Sequence, residues 1–238
     1  DINSGVSIFD KKIIDYLPLG HSSLEKDLLP KLLKERLLSA KKYNSFFLDI
    51  GIPISLKNAQ ESIPKWKLKS ALFLDRDGVI NVDYGYVHKM SDFDFISGAK
   101  EIIKMANDFG ILVIVITNQA GIARGFYTEN EFKLFSKNIN EILKEFGAHV
   151  DATYYCPHHP QDGIGNLKKD CNCRKPKPGL LKKAIKEWDL DVRECFLIGD
   201  KISDIQSASA CGISSYLFSA KKDNLIEIFK NKFPKLSN

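Results

Sequence analysis

The sequence of 238 residues has few of the features that mark membrane, secreted and nucleic-acid-binding proteins. Its longest apolar run, residues 111–116, is far shorter than the roughly twenty residues that cross a bilayer. No basic segment followed by an apolar one stands at the start, so no secretory signal is indicated. The formal net charge is +5, but the lysines are scattered and form no basic block with interleaved aromatic residues. We therefore expect a cytoplasmic protein that binds neither a membrane nor nucleic acid.

Cysteine is also scarce, with five residues, and in a reduced compartment clustered cysteines indicate a metal site rather than disulfides. A Cys-x-His pair and a Cys-x-Cys pair flank residues 159–170, and three thiolates with one imidazole suit a closed, tetrahedral zinc site. The predicted ligands of this structural zinc are Cys156, His158, Cys171 and Cys173. His159 is an alternative to His158, whereas Cys195 and Cys211 are predicted to be small core residues.

From residue 71 onward, strand-like and helical segments alternate. The predicted strands are 71–75, 110–118, 152–156, 195–200 and 214–218. The predicted helices are 98–109, 128–146, 179–188 and 203–210, and Thr128 with Glu131 forms the sequence pattern of a capping box. Because the central strands are apolar throughout, we predict an α/β fold with a Rossmann-like parallel sheet covered by helices on both faces.

Residues 1–66 differ in character and are predicted to form a small α/β fragment. An apolar segment at 6–9 precedes a helical stretch at 23–36, for which Ser23 is the predicted N-cap. Residues 46–51 look strand-like, and the basic, proline-containing run 62–70 is typical of a linker. The predicted domain boundary therefore separates residues 1–66 from residues 67–238.

Acidic side chains follow two of the predicted strands. Asp75 and Asp77 come after the first strand, and Asp200 and Asp204 come after the fourth. Ligands of parallel sheets bind at the carboxyl ends of the strands, so these acids are expected to share one crevice. Closely packed carboxylates repel unless a cation intervenes, and a hard ion with oxygen ligands, such as Mg²⁺, satisfies this requirement. A lone aspartate would more simply cap a turn.

Thr117, at the end of the second strand, and Lys175, after the cysteine pair, add a hydroxyl and a cation to the same edge. Together with DRDG (residues 75–78) and GDKISD (residues 199–204), they resemble the four motifs of haloacid dehalogenase superfamily phosphatases. That resemblance implies a nucleophile at Asp75 and a general acid and base at Asp77. It also implies that Thr117 and Lys175 hold the phosphoryl oxygens.

The same resemblance implies a Mg²⁺ site formed by Asp75, the backbone carbonyl of Asp77, and Asp200, with Asp204 in a supporting role. The segment between the first two motifs is too short for a large cap domain and contains one predicted helix. The active site is therefore expected to be fairly open, with the zinc-binding loop and the loop at 84–93 deciding substrate choice.

Within the superfamily, the stretches FLDRDGVINVDYGYV, ITNQAGIARGFYTE, YYCPHH, CNCRKPKPG and GDKISDIQSA resemble the D-glycero-D-manno-heptose 1,7-bisphosphate 7-phosphatases. The resemblance implies a sugar phosphate substrate held by Asp75, Arg76, Asp77, Asp83, Tyr84, Gly85, Tyr86, Thr117, Asn118, Gln119, Ala120, Arg174, Lys175 and Lys201. A histidinol-phosphate phosphatase, which shares the motifs and the zinc loop, is the first alternative. An inactive zinc-stabilised binding module is the second. Asp83 could instead cap a turn, and Lys201 could be solvated.

Residues 1–66 resemble the C-terminal end of a sugar-1-phosphate nucleotidyltransferase, without the glycine-rich nucleotide loop of that family. Asp49 stands where the family has a metal-binding aspartate and is expected to be idle. The resemblance implies a missing nucleotidyltransferase portion in cis, joined to a monomeric phosphatase domain in a bifunctional protein of nucleotide-activated heptose synthesis. If that portion transfers guanylate, the α-anomer of the bisphosphate is the expected substrate.

Overall fold

The computed structural model describes residues 6–18, 20–40 and 48–234. The chain divides into two compact units, Asp1–Trp66 and Lys67–Asn238. In the described part of the chain, no helix combines the length and the apolar character needed to cross a membrane. All the phosphatase-like motifs lie in the second unit.

The regular secondary structure of the first unit is helical in the residues that the structure describes. A 3-10 helix covers Lys11–Tyr16, and a π-helical turn at Leu24–Leu28 leads into α1 at Leu29–Lys34. The predicted N-cap is present, since Ser23 Oγ accepts from the backbone N–H of Lys26 at 3.2 Å.

Two predictions for this unit need correction. The proposed linker at 62–70 is mostly helix, because α2 runs from Pro53 to Lys67 with Pro64 inside it. Proline fixes φ near the helical value, so a helix can continue through it at the cost of one hydrogen bond. The predicted strand at 46–51 lies partly outside the described residues, and residues 48–51 are not in a strand. Within the described residues, the expected α/β fragment is therefore helical.

The second unit contains a five-stranded parallel sheet, as predicted. Its strands are β1 (Ala71–Leu74), β2 (Leu112–Asn118), β3 (Ala152–Cys156), β4 (Phe196–Gly199) and β5 (Ser214–Leu217). Their spatial order is β3-β2-β1-β4-β5. After β3 the chain returns to the other side of β1, so the carboxyl ends of β1, β2 and β4 flank the point where the strand order reverses.

Helices cover both faces of this sheet. They are α3 (Ala99–Asp108), α4 (Ala120–Ala123), α5 (Glu129–Glu145), α6 (Gly179–Glu187), α7 (Ile202–Ser209) and α8 (Leu225–Lys232), of which α4 and α8 were not predicted. One apolar cluster packs α3, α5 and α8 against the sheet, and a second packs α6 and α7. Both bonds of the predicted capping box of α5 are present. Between β1 and β2, where every residue is described, α3 is the one α-helix, so this segment contains no large cap domain.

Candidate active site and metal centres

The acids after β1 and β4 converge on one space. Carboxylate oxygens of Asp75, Asp200 and Asp204, here called the carboxylate cluster, lie within 4.8 Å of one another. Lys175 Nζ is 3.0 Å from Asp75 Oδ1 and 2.6 Å from Asp204 Oδ1, and it donates to the carbonyl of Ile116 at 2.8 Å. One buried cation therefore neutralises part of a buried acidic group.

The electrostatics of the carboxylate cluster indicate a place for a further cation. Burial, and next the charge of Asp75, raises the pKa of Asp200 to about 6. Asp200 Oδ1 is buried and has no hydrogen-bond partner among the described residues. Burial alone would lower the pKa of Lys175, but the charges of Asp75 and Asp204 outweigh it and raise that pKa. A carboxylate oxygen without a donor, beside other carboxylates, fits a hard divalent cation.

The close approach of the segments that follow β1 and β4 requires Gly78. This residue has φ +93°, and a Cβ at its position would collide with the carboxylate of Asp200. Glycine adopts positive φ without steric cost, so the chain can turn sharply after Asp77. The turn brings Asp77 to the same edge of the sheet as Asp75.

Asp77 is held by three side chains. Its Oδ1 accepts from Arg76 Nε at 3.1 Å, Arg76 Nη2 at 2.8 Å and Asn81 Nδ2 at 3.0 Å. Its Oδ2 accepts from Arg76 Nη2 at 2.7 Å and Gln119 Nε2 at 3.1 Å. Arg76 also donates to the carbonyl of Val87 at 2.7 Å, so its guanidinium orients Asp77 and does not face the crevice.

The residues after β2 connect the crevice to the loop that carries Lys175. Asn118 Oδ1 accepts from the backbone N–H of Lys175 at 3.0 Å, and its Nδ2 donates to the Lys175 carbonyl at 3.1 Å. Thr117 is buried, with its Oγ1 accepting from Gln119 Nε2 at 2.8 Å. The Asn118 side chain therefore fixes the Lys175 backbone, while the Thr117 hydroxyl proton is free for another acceptor.

A cavity of about 570 Å³ opens over these groups. Its wall contains the predicted residues Asp75, Asp77, Asp83, Gly85, Tyr86, Thr117, Asn118, Gln119, Ala120, Arg174, Lys175, Lys201 and Asp204. Two predicted substrate residues are absent from it: Arg76 binds Asp77, and Tyr84 donates to Asp94 Oδ2 at 3.0 Å. Tyr127 and Ser203 also line the wall. Both stand within quoted stretches, but neither was predicted, because no chemical role was inferred for their side chains.

Asp83 and Lys201 join two edges of the cavity. Lys201 Nζ lies 3.2 Å from Asp83 Oδ2 and 3.7 Å from Asp200 Oδ2. Burial lowers the pKa of Lys201, but the charges of Asp200 and Asp83 raise it well above its usual range. Asp83 also accepts from the backbone N–H of Gly85 at 3.0 Å, so it both caps a turn and pairs with a lysine.

A second candidate metal centre follows β3. Ligand atoms of Cys156, His158, Cys171 and Cys173, here called the thiolate cluster, lie within 4.8 Å of one another. The three Sγ–Sγ distances are 3.5, 3.2 and 3.2 Å, and His158 Nδ1 lies 3.4 Å from Cys173 Sγ. Metal–sulfur bonds of about 2.3 Å in a tetrahedron give edges of about 3.8 Å, close to these values.

The two adjacent histidines have different environments. Burial lowers the pKa of His158, which favours the neutral imidazole that binds metals. His159 Nδ1 instead accepts from the backbone N–H groups of Gln161 and Asp162 at 3.3 and 3.0 Å. His158 is thus the histidine of the cluster. The cluster also orders the next residue, since Arg174 Nη1 donates to the His158 carbonyl at 3.2 Å.

Comparisons with known proteins agree with this geometry. A family model described as HAD-hydrolase-like matches residues 172–224. The D-glycero-beta-D-manno-heptose-1,7-bisphosphate 7-phosphatase of Haemophilus ducreyi is 42% identical over 148 residues, which make up 62% of this chain and 81% of the relative. The chain belongs to the heptose-1,7-bisphosphate 7-phosphatase family. This membership confirms the resemblance drawn from the motifs of the second unit.

Two further members of this heptose phosphatase family show its range. The D-glycero-alpha-D-manno-heptose-1,7-bisphosphate 7-phosphatase of Burkholderia mallei is 45% identical over 153 residues, 64% of this chain and 81% of the relative. The crystal structure of the D,D-heptose 1,7-bisphosphate phosphatase of B. bronchiseptica, complexed with magnesium and phosphate, is 31% identical with a TM-score of 0.56. It matches over 63% of this chain and 80% of that chain. Family membership therefore applies to a little under two thirds of the chain.

Proposed function

We propose that this protein is a magnesium-dependent phosphatase that removes the 7-phosphate of D-glycero-D-manno-heptose 1,7-bisphosphate. The observation that carries the proposal is the convergence of Asp75, Asp77, Thr117 and Lys175 on one cavity beside Asp200, in a chain of this family. A nucleophile, a second carboxylate, a hydroxyl and a cation are the groups that phosphoryl transfer needs.

The proposed reaction has two steps. A carboxylate oxygen of Asp75 attacks phosphorus as the bond from phosphorus to the 7-oxygen breaks, and protonated Asp77 gives its proton to that departing oxygen. Asp77, now a carboxylate, takes a proton from water, whose oxygen attacks the aspartyl-phosphate. The Asp75 oxygen–phosphorus bond breaks, and inorganic phosphate leaves. Thr117 and Lys175 hold the phosphoryl oxygens in both steps.

Asp75, Asp200 and the backbone carbonyl of Asp77 are the proposed Mg²⁺ ligands, and Asp204 supports them by pairing with Lys175 at 2.6 Å. When bound, Mg²⁺ offsets the repulsion between the carboxylate nucleophile and the phosphate. The unpartnered Asp200 Oδ1 supports this ligand set.

The thiolate cluster is proposed to hold a structural Zn²⁺, because its four ligands leave no open coordination position. When bound, zinc fixes both ends of the loop at 159–170. Arg174 and Lys175 follow the zinc ligand Cys173 directly, so zinc would support the cations of the active site without touching the substrate.

Turnover of matched substrates tests the proposed function. The purified chain, with and without Mg²⁺, is given both anomers of the heptose bisphosphate and, in parallel, histidinol phosphate. We expect Mg²⁺-dependent release of one phosphate from the bisphosphate and at least about 100-fold lower kcat/KM for histidinol phosphate, a difference of about 2.7 kcal/mol. Preference for histidinol phosphate would select the first alternative, and no turnover would select the binding module.

The anomer and the first unit form a further proposal. Relatives named for the β- and the α-anomer are similarly identical to this chain, at 42% and 45%. We propose that residues 1–66 are the C-terminal remnant of a nucleotidyltransferase domain fused to a phosphatase domain at 67–238, with the α-anomer preferred. In support, the apolar side chains buried among the described residues of 1–66 are Leu28, Leu32 and Ala59, whereas Ile8 and Val6 are largely exposed. A wide preference for the β-anomer would count against the fusion argument.

A further inference from the structure

Gln119 lies at the end of β2, between two groups of the proposed reaction. Its side chain is 2% exposed. The Nε2 amide group donates one hydrogen bond to Asp77 Oδ2 at 3.1 Å and a second to Thr117 Oγ1 at 2.8 Å. Both amide donors are therefore used within the protein, and the side chain has none to offer a substrate.

The orientation of this amide is set by Tyr127. The Tyr127 hydroxyl donates to Gln119 Oε1 at 2.5 Å. Reversing the amide would turn Oε1 toward the carboxylate of Asp77, so that two acceptors face each other. Burial, the largest influence, raises the pKa of Tyr127 to about 12, so the hydroxyl keeps its proton at working pH.

Tyr127 is itself closely packed. The residue is 4% exposed, and its ring stacks on His88 with centroids 4.7 Å apart and planes 16° apart. Gly121 also lies close to the ring, and any Cβ at its position would collide with it. The ring thus packs against both the loop after β1 and α4, and its hydroxyl has little freedom to move away from Gln119.

The remaining partners of Asp77 approach it differently. Arg76 and Asn81 come from the chain around Asp77 itself and give Oδ1 three N–H donors. Oδ2 has two, one from Arg76 and one from Gln119, and is the less crowded oxygen. Gln119 is the partner that links this oxygen to β2, the strand that also positions the phosphoryl-binding Thr117.

From this geometry we propose that Tyr127 and Gln119 are positioning residues, which aim the carboxyl group of Asp77 at the leaving oxygen. The inference rests on the proposed phosphatase function and on Asp77 as its general acid. The resemblance implied that Gln119 contacts the substrate. In this proposal its side chain instead contacts the catalytic acid, Asp77. No covalent step is added, because the same proton passes from Asp77 to the same oxygen.

When the general acid is misplaced, the rate falls more for a substrate whose leaving group is more basic. The test compares kcat/KM, with Mg²⁺, for phenyl phosphate and 4-nitrophenyl phosphate, whose phenolates differ in basicity, and for the heptose bisphosphate, which loses an alkoxide. A general acid contributes roughly 10²- to 10⁴-fold for a poor leaving group, and much less for 4-nitrophenolate.

Two variants probe the contact, and one serves as a control. Tyr127→Phe keeps the ring stack and should lower kcat/KM about tenfold for phenyl phosphate but less than about twofold for 4-nitrophenyl phosphate. Gln119→Glu keeps an acceptor for Tyr127 but removes the donor to Asp77, and should cost about 100-fold for phenyl phosphate. Tyr155→Phe removes a comparable tyrosine hydroxyl bond, to Glu129 at 2.5 Å, which shares no hydrogen bond with Tyr127, Gln119 or Asp77. It keeps the ring that packs near Tyr127, so it should change neither rate.

Each result has one meaning. Equal losses on all three substrates would show a general structural role and would overturn the inference, as would wild-type rates in Tyr127→Phe and Gln119→Glu. If the wild-type protein hydrolyses the two aryl phosphates but not the heptose bisphosphate, the heptose proposal is wrong and the positioning test can still be made. A wild-type chain that hydrolyses none of the three would overturn the phosphatase proposal and this inference together.

Discussion

The thiolate cluster and the carboxylate cluster lie in the same unit, and they present opposite chemistry to an ion. The thiolate cluster supplies four soft ligands that close a tetrahedron and leave no position for a substrate. The carboxylate cluster supplies hard oxygen atoms, and two of its members, Asp75 and Asp204, line a cavity of about 570 Å³. On the proposed function, the first cluster holds a loop in place, and the second binds a cation beside the reacting phosphate. Removing one ion should therefore affect folding, and removing the other should affect turnover.

The largest effect should come from the nucleophile. Asp75→Asn removes the attacking carboxylate but keeps a side chain of the same size beside Lys175. We expect kcat to fall at least about 10³-fold. Thermal unfolding should change little, because the side chain still fills the same space.

Asp108→Asn is the matched control, because Asp108 is exposed and pairs with Lys104 at 2.8 Å on α3. Steady-state kinetics and a melting curve for both variants check the prediction. Full activity in Asp75→Asn would show that Asp75 is not the nucleophile, and the catalytic role assigned to the carboxylate cluster would then be wrong.

The next largest effect should come from the thiolate cluster. His158→Ala removes one of four ligands, so we expect loss of bound zinc and a fall in Tm of about 10 °C or more. Turnover should fall as well, because Arg174 and Lys175 follow the cluster directly. His159→Ala provides the control, since His159 bonds to loop backbone and not to the cluster.

Zinc content by elemental analysis, measured beside Tm and kcat, separates the two histidines. Zinc retention in His158→Ala with loss in His159→Ala would reverse the ligand assignment. Equal stability with and without zinc would remove the structural role of the thiolate cluster.

A smaller effect concerns proton competition at the carboxylate cluster. Because Asp200 has a pKa of about 6 without a bound ion, it is mostly ionised at pH 7 and mostly protonated at pH 5. Mg²⁺ must displace that proton, so its apparent Kd should rise about tenfold between pH 7 and pH 5. Calorimetric titration with Mg²⁺ at several pH values checks this, with near-UV circular dichroism to verify the fold. A Kd that stays constant over this range would show that Asp200 is not a ligand.

The strands and long helices of the second unit were predictable from sequence because their signals are local. Residues 152–156 were predicted as a strand and form β3, and the capping box at Thr128 was visible as a spacing. The same holds for the thiolate cluster, whose four ligands fall in two short pairs.

Other features depend on contacts that sequence does not show. Arg76 stands inside the DRDG motif and was predicted to touch substrate, but its guanidinium turns to Asp77 and the Val87 carbonyl. Tyr127 was missed because its role depends on a stack with His88 and a bond to Gln119, which are distant in sequence. The α2 helix was obscured by Pro64, which usually marks a boundary.

The smallest predicted effect separates stability from function at the carboxylate cluster. Asp200 has a folded pKa above its unfolded value, so its ionisation destabilises the folded, metal-free protein above the unfolded pKa, and the penalty grows until the pH exceeds about 6. Asp200→Asn should therefore raise the Tm of the chelated protein by about 2–5 °C at pH 7.5, after allowance for solvent screening. The gain should shrink as the pH falls toward 5, because the wild-type side chain then becomes neutral too.

With Mg²⁺ present the order of the two melting temperatures should reverse, since the ion stabilises the wild type alone, and the variant should lack activity. Calorimetry of both proteins at two pH values, with and without Mg²⁺, checks all four conditions. A metal-free variant that melts below the wild type at pH 7.5 would mean that the carboxylate cluster stabilises the fold, and its contrast with the thiolate cluster would fail.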